Sequence, residues 1–416
     1  MPNETAPGRW SPGSPLGFPS NNKRGIGHET QHQTHADDPQ GGLARPLGLI
    51  EAMRLKERGE QYDAVAYAGM VRDAVAEVVD RQVAAGVDVI CDGEQGKPSF
   101  LTYVKERLSG FESGEAALGE DPWKGSREAI AFPEFYAWNA RTRAGIVAPR
   151  TATICSGPVA YVGQEALQSD IANLKAALQG KDPEEVFMPA ISPSDVEGRQ
   201  ENEYYASEEE YLYAIADAMS EEYRAIVDAG FLLQIDDPRL VTYYVANPQA
   251  SVEDCRRWAE VRVEAVNHAL KGIPEEKIRF HTCYGINIGP RVHEMALKNI
   301  VDIMLRVNAG AYSFEAANPA HEHEWKVWET AGLPDGKVLI PGVISHSTNV
   351  VEHPELVAQR LVRYANIVGR ENVIGGSDCG FSSFASTEPE IHPTVVWAKF
   401  ENMAEGARLA SREMWG

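Results

Sequence analysis

The chain has 416 residues, a formal net charge of -22 and a hydrophobic fraction of 43%. Such an acidic surface would repel phosphate backbones and anionic lipids, so neither nucleic acid nor a membrane is expected as a partner. The sequence contains no run of about 18 apolar residues, so no transmembrane helix is predicted. The five cysteines are too few for a disulfide framework, and they fit a reducing, cytoplasmic compartment.

The first part of the chain differs in composition from the rest. Residues 1–42 are rich in Pro, Gly, Asn, His and Gln and lack apolar periodicity, so we expect a disordered or extended tail. Residues 43–416 are expected to form one barrel domain. Within it, apolar spacing predicts a helix over 64–85 that ends at Gly86, followed by a buried strand over 87–92.

The same unit, a helix followed by a short apolar strand, recurs to the end of the chain. Strands are predicted at 151–155, 231–235, 278–280, 310–314, 338–344 and 372–375, and helices at 208–228, 252–270, 292–307, 354–368 and 393–411. This alternation indicates a parallel sheet with right-handed crossovers. With a poorly formed first strand near 31–45, it predicts an α/β fold, a (β/α)8 TIM barrel. Residues 110–150 and 180–205 exceed normal loops and are expected as insertions at its C-terminal face.

Reactive side chains follow the predicted strands directly. These residues are Glu94, Asp236, His281 with Cys283, Glu315, His346 and Cys379. In a parallel barrel the positions after the strands converge on the C-terminal face, where active sites form. The sequence therefore predicts an active site on that face.

Four of these residues could hold a metal ion. His281 and Cys283 stand at i and i+2, so on a strand both side chains point the same way. Glu315 ends an apolar strand, where a carboxylate is costly unless it is paired or ligated. Each residue alone could belong to the core, but with Cys379 they supply N, S, O and S donors, a tetrahedral zinc set.

The remaining candidates have two interpretations each. His346 has a side chain suited to proton transfer near neutral pH, or it bonds the backbone. Glu94 and Asp236 could bind a substrate ammonium or pair with arginines of the barrel. His321 and His323 lie in an acidic stretch that is interpreted as the polar start of a helix.

Six short motifs occur in the order found in a known family. They are Asp92-Gly93-Glu94, Ser156-Gly157-Pro158, Gln234-Ile235-Asp236-Asp237-Pro238, His281-Thr282-Cys283-Tyr284, Ile344-Ser345-His346-Ser347-Thr348-Asn349 and Ser377-Asp378-Cys379-Gly380. Over roughly residues 44–413 the chain resembles the catalytic barrel of cobalamin-independent methionine synthase. The resemblance implies that His281, Cys283, Glu315 and Cys379 hold catalytic zinc. It also implies that Glu94 and Asp236 grip the amino group of homocysteine and that His346 assists proton transfer.

The function implied is zinc-dependent transfer of an alkyl group, most simply a methyl group from a folate or another donor, to a small-molecule thiol. A homo-oligomer stays open. The chain departs from the family by having room for one barrel rather than two, by Gly41-Gly42 where a Gly-Ser motif is usual, and by Asp237 where glutamate is usual. An epoxide-opening thiol transferase similar to epoxyalkane:coenzyme M transferase is a second possible function. A non-catalytic barrel with structural zinc and a metal-free barrel similar to uroporphyrinogen decarboxylase also stay open.

Overall fold

The computed structural model describes residues 37–38, 41–113, 123–139, 147, 153–285 and 288–416. The strands are β1 (Asp37–Asp38), β2 (Val89–Cys91), β3 (Phe111–Ser113), β4 (Thr153–Cys155), β5 (Glu185–Ile191), β6 (Gln200–Asn202), β7 (Leu232–Asp236), β8 (Ile278–Thr282), β9 (Ala311–Phe314), β10 (Val338–Ile344) and β11 (Gly375–Ser377). The helices are α1 (Leu47–Glu57), α2 (Ala64–Ala85), α3 (Arg127–Ala131), α4 (Pro133–Asn139), α5 (Gln164–Ala177), α6 (Pro193–Glu197), α7 (Glu208–Asp228), α8 (Arg239–Ala246), α9 (Val252–Ala269), α10 (Val301–Met304), α11 (Trp328–Ala331), α12 (Pro354–Val368) and α13 (Pro393–Trp415).

Eight of the strands form one parallel sheet that curls into a barrel. Their order is β1-β11-β10-β9-β8-β7-β5-β2, which follows the order of the chain. The strands at the two ends, β1 and β2, lie within 8 Å of each other by their Cα atoms, so the two edges of the curled sheet come together. This is the predicted (β/α)8 barrel, with β1 inside the range where the first strand was expected.

Several helices have the predicted bounds because their ends are fixed by local hydrogen bonds. The Asp63 side chain accepts from the Val65 and Ala66 N–H groups at the start of α2, and Gly86 ends that helix at a φ of 85°. Ser207 caps α7 in the same way by accepting from the Glu210 N–H. The predicted helices 64–85 and 208–228 are therefore confirmed, as is the helix 354–368.

One predicted barrel strand was wrong. β4 lies in a separate three-stranded sheet, antiparallel to β3 and parallel to β6. The third barrel strand is instead β5, inside the stretch 180–205 that was expected to be an insertion. β5 contains Pro189, which lacks the N–H that a residue of a central strand donates. In the structure β2 pairs only with residues 185–187, so Pro189 lies beyond the last pair on that side.

The predicted helix over 292–307 was also wrong. This region contains only a short 3-10 turn at Leu297–Asn299 and the helix α10. Arg291, just before it, has a φ of 56°, a left-handed conformation that L-residues seldom adopt and that no α-helix contains. The loop before α10 therefore has a fixed shape of its own.

The disordered or extended tail expected over residues 1–42 stays a prediction, since residues 1–36 lie outside the described part of the chain. From Asp37 the chain pairs with β11 as strand β1. Most of 114–152 is likewise outside it. Among the described residues, no helix is long and apolar enough to cross a membrane.

Candidate metal centre and active site

The register of the barrel brings the candidate residues to one end. His281 pairs in register with Asp236 of β7 on one side and with Ser313 of β9 on the other. Cys283, Glu315 and Cys379 follow shortly after the ends of β8, β9 and β11. All of these positions lie at the carboxyl ends of the strands, as predicted.

His281, Cys283 and Cys379 form a buried trio. One ligand atom of each lies within 4.8 Å of those of the other two. His281 Nδ1 lies 3.0 Å from Ser313 Oγ, and its buried Nε2 has no hydrogen-bond partner in the described structure. Burial, with smaller effects of Arg279 and His346, lowers the pKa of His281 to about 3. The imidazole is therefore neutral at pH 7, the form that a metal ligand requires.

The two thiols of the trio are in direct contact. Cys283 Sγ lies 3.4 Å from Cys379 Sγ, and both cysteines are free and buried. The hydrogen bond between Cys283 and Cys379, followed by burial, raises the pKa of Cys283 well above its ordinary value. Two adjoining thiols and an unpartnered imidazole nitrogen are a donor set that fits zinc, because Zn²⁺ favours Cys and His ligands and lowers the pKa of thiols that bind it.

Glu315 lies beside the trio rather than within it. Its Oε1 accepts from the Tyr284 N–H at 2.7 Å, and its Oε2 accepts from Arg291 Nη2 and Asn318 Nδ2, each at 2.7 Å. It forms a second group with His346 and Asp378, in which one ligand atom of each lies within 4.8 Å of the others. The structure thus brings three of the four expected ligands together and places the fourth in a set of hydrogen bonds.

His346 is buried beside this second group. Neither ring nitrogen has a hydrogen-bond partner of normal geometry in the described residues, although the backbone of Gly285 lies close enough to affect the ring. Burial, with a smaller effect of Arg291, lowers the pKa of His346 to about 4. Its loop is anchored by Glu352, which accepts from the Ser345 N–H at 2.8 Å and pairs with Lys399 at 2.7 Å. The loop is therefore held in place without using the His346 side chain.

Glu94 and Asp236 are two buried acids near each other, with exposed fractions of 2% and 8%. Burial and then the charge of Glu94 raise the pKa of Asp236 well above its ordinary value. Lys97 offsets part of this charge, with its Nζ 3.7 Å from Glu94 Oε1, although the same Nζ donates to the Pro189 carbonyl at 2.6 Å. A pair of desolvated carboxylates of this kind suits a positively charged ligand.

The turn that carries Glu94 is strained and tightly held. Glu94 has a φ of 54°, and Asp92 Oδ1 accepts its N–H at 2.9 Å while Arg45 Nη2 donates to its carbonyl at 2.8 Å. Gly42 packs against it so closely that a Cβ there would lie 2.7 Å from Glu94 Oε2. A glycine at position 42 therefore makes room for the Glu94 carboxylate.

Sequence reasoning missed a chain of buried charges next to Glu315. Arg291 Nε lies 2.9 Å from Glu294 Oε1, and Glu294 Oε2 lies 2.8 Å from His321 Nε2. His321 Nδ1 lies 2.7 Å from Glu324, so His321 is not merely the polar start of a helix. Burial opposes its protonation, but the two carboxylates prevail and raise the pKa of His321 to about 9. The spacing of three residues within each of the pairs 291/294 and 321/324 was the only signal in the sequence.

Comparisons with known proteins agree with this architecture. The family model for the catalytic domain of cobalamin-independent synthase matches residues 194–407. The methionine synthase of Sulfurisphaera tokodaii is 24% identical over 380 residues, covering 90% of this chain and 92% of that protein. The methionine synthase of Thermococcus kodakarensis is 21% identical over 376 residues, with coverages of 90% and 93%.

Solved structures share the fold. A B12-independent methionine synthase from a Shewanella species, in complex with selenomethionine, has a TM-score of 0.67 at 18% identity and covers 92% of this chain and 99% of that one. A putative vitamin-B12 independent methionine synthase from Listeria monocytogenes has a TM-score of 0.63 at 19% identity, with coverages of 93% and 99%. Since the family model alone spans more than half of the 416 residues, the chain belongs to the family of cobalamin-independent methionine synthase catalytic domains.

Proposed function

We propose that this protein is a zinc-dependent S-alkyltransferase that transfers a methyl group to the thiol of homocysteine. The observation that carries the proposal is the buried trio of His281, Cys283 and Cys379, whose free imidazole nitrogen and adjoining thiols make one sulfur-rich donor set. Glu315 is proposed as the fourth ligand. Zinc, when bound, would lower the pKa of an incoming thiol so that it is a nucleophile at neutral pH.

Glu94 and Asp236 are proposed to bind the ammonium group of the thiol substrate. Both carboxylates are buried, and their mutual repulsion is relieved when a cation binds near them. This favours an amine-bearing thiol over the sulfonate thiol of the epoxide-opening relatives, since a sulfonate would meet two negative charges.

His346 is proposed to carry the proton of the reaction. Alkylation breaks the S–H bond of the thiol and the bond between the alkyl carbon and its leaving group, so the thiol proton must reach that group. His346 is neutral at pH 7, and its ring nitrogens have no hydrogen-bond partner of normal geometry among the described residues, so it can accept a proton and then donate it. The alkyl donor itself is left open, because no described contact identifies it.

The test is a titration of cobalt-substituted protein with homocysteine, coenzyme M, glutathione and cysteine, followed by its visible spectrum. A thiol that binds the metal strengthens the sulfur-to-cobalt charge-transfer band, and we expect homocysteine to do so at the lowest concentration. A response to coenzyme M alone would point instead to epoxide opening. Cobalt binding without a response to any thiol would indicate a structural metal and contradict the proposal.

A further inference from the structure

Three hydrogen bonds from the protein itself hold the carboxylate of Glu315. Three donors, the Tyr284 N–H, Arg291 Nη2 and Asn318 Nδ2, each lie 2.7 Å from one of its oxygens. Of these, Arg291 is the only charged one, and ionic hydrogen bonds are about twice as strong as neutral ones. A metal at the trio would therefore have to compete with these donors, above all with Arg291, for the Glu315 carboxylate.

Arg291 is built into this position. Its exposed fraction is 8%, and its backbone has the left-handed φ of 56°. Such strained backbone conformations persist only where the surroundings hold them, and they cluster at functional sites. Glu294 fixes the other side of the guanidinium, with its two carboxylate oxygens 2.9 Å and 3.0 Å from Arg291 Nε.

We infer that Arg291 is a positioning residue that competes with the metal for Glu315 and so keeps the fourth coordination position available to a thiol. The inference rests on the proposed function. Arg291 holds Glu315 beside the trio. His281, Cys283 and Cys379 would hold a bound zinc ion, and Glu315 would be its fourth ligand only when released by Arg291.

This role predicts opposite effects on the metal and on the thiol. Arg291→Lys keeps the positive charge but loses the planar fork that binds Glu315 on one side and Glu294 on the other. We expect zinc to bind about 10-fold more tightly, because one ionic hydrogen bond no longer competes with it. Homocysteine should bind the metal-loaded variant about 10-fold more weakly, because Glu315 now fills the fourth position.

The measurement uses zinc affinity by chelator competition and the visible spectrum of the cobalt protein, with and without homocysteine. Arg262→Lys is the matched control, since Arg262 forms another largely buried arginine–carboxylate pair, 2.8 Å from Glu197, and neither residue is a member of the trio or a donor to Glu315. The double variant Arg291→Lys with Glu315→Gln should lose the gain in zinc affinity, because the competing ligand is gone. Arg291→Met should shift zinc affinity in the same direction, and if it fails to fold, Arg291→Lys carries the test.

Unchanged zinc affinity and cobalt spectrum in Arg291→Lys would overturn the inference while leaving the proposed function standing. Weaker binding of both zinc and thiol would overturn it too, because that is the effect of a residue that only supports the fold. If the wild-type protein binds neither zinc nor cobalt, the proposed function fails and this inference falls with it.

Discussion

The proposed ammonium site gives a prediction whose magnitude follows from the contacts of Asp236. Replacing this residue by asparagine keeps its shape and its hydrogen bond with Gln234, which is 2.8 Å long, but removes the charge. A hydrogen bond to a charged group is worth about 1.5–3 kcal/mol. Since 1.4 kcal/mol is tenfold in affinity, homocysteine should bind Asp236→Asn roughly 10- to 150-fold more weakly.

The assay is calorimetric titration of the zinc-loaded protein with homocysteine and with 4-mercaptobutyrate, which has the same thiol and carboxylate but no amino group. Asp236→Asn should weaken only the binding of homocysteine. Asp88→Asn is the matched control, because Asp88 is another acid with a raised pKa but precedes β2, at the opposite end of the barrel. Equal losses for both thiols, or no loss for either, would refute the ammonium site.

The same variant should change the pH dependence of stability. Burial and Glu94 raise the pKa of Asp236 in the folded protein, so the folded state holds this proton more firmly than the unfolded state. The stabilisation from the protonated group is present below an unfolded pKa of about 4 and is lost as pH rises through the folded pKa. Between pH 4 and pH 8 the midpoint temperature of thermal unfolding should therefore fall less steeply in Asp236→Asn than in the wild type. A steeper fall in the variant would contradict this reasoning.

Three further outcomes follow from the geometry. Cys379→Ser should lower zinc affinity at least 100-fold, as measured by chelator competition, because a hard oxygen replaces one of two thiolates; an unchanged affinity would remove Cys379 from the metal site. His346→Asn should lower kcat by about 10²- to 10⁴-fold. Because burial lowers the pKa of His346 to about 4, the pH profile of kcat/KM should show no limb near pH 6.5 in the wild-type protein that is missing from this variant. Lys399→Met should cost about 3–5 kcal/mol in the free energy of unfolding, since it leaves the buried Glu352 without its cationic partner; a loss below about 1 kcal/mol in denaturant titrations would contradict that.

Local rules predicted the fold wherever the local signals were complete. The helices α2 and α7 have both an apolar face and a capping side chain, and they fold within the predicted bounds. β5 was missed because the whole stretch 180–205 was interpreted as an insertion from its length, and its Pro189 lies beyond the last residue that pairs with the short strand β2. Strand length in a partner is a tertiary property that no local window contains.

The site was predictable in its location but not in its internal arrangement. Residues that follow parallel strands must meet at one face, so His281, Cys283 and Cys379 could be placed together from their spacing. Which donors reach Glu315 depends on the loop that carries Arg291. Arg291 has a left-handed backbone conformation, and because it is not a glycine, no sequence pattern indicates that conformation. The sequence therefore indicated the candidate ligands but not Arg291, which binds one of them, Glu315, beside the trio.

The most direct test of the central claim is zinc-edge X-ray absorption of the zinc-loaded protein before and after homocysteine is added. Without thiol, two sulfur ligands at about 2.3 Å are expected, those of Cys283 and Cys379. With homocysteine the number should rise to three, because the substrate sulfur binds the metal. Two sulfurs in both states, or a zinc ion without sulfur ligands, would contradict the account.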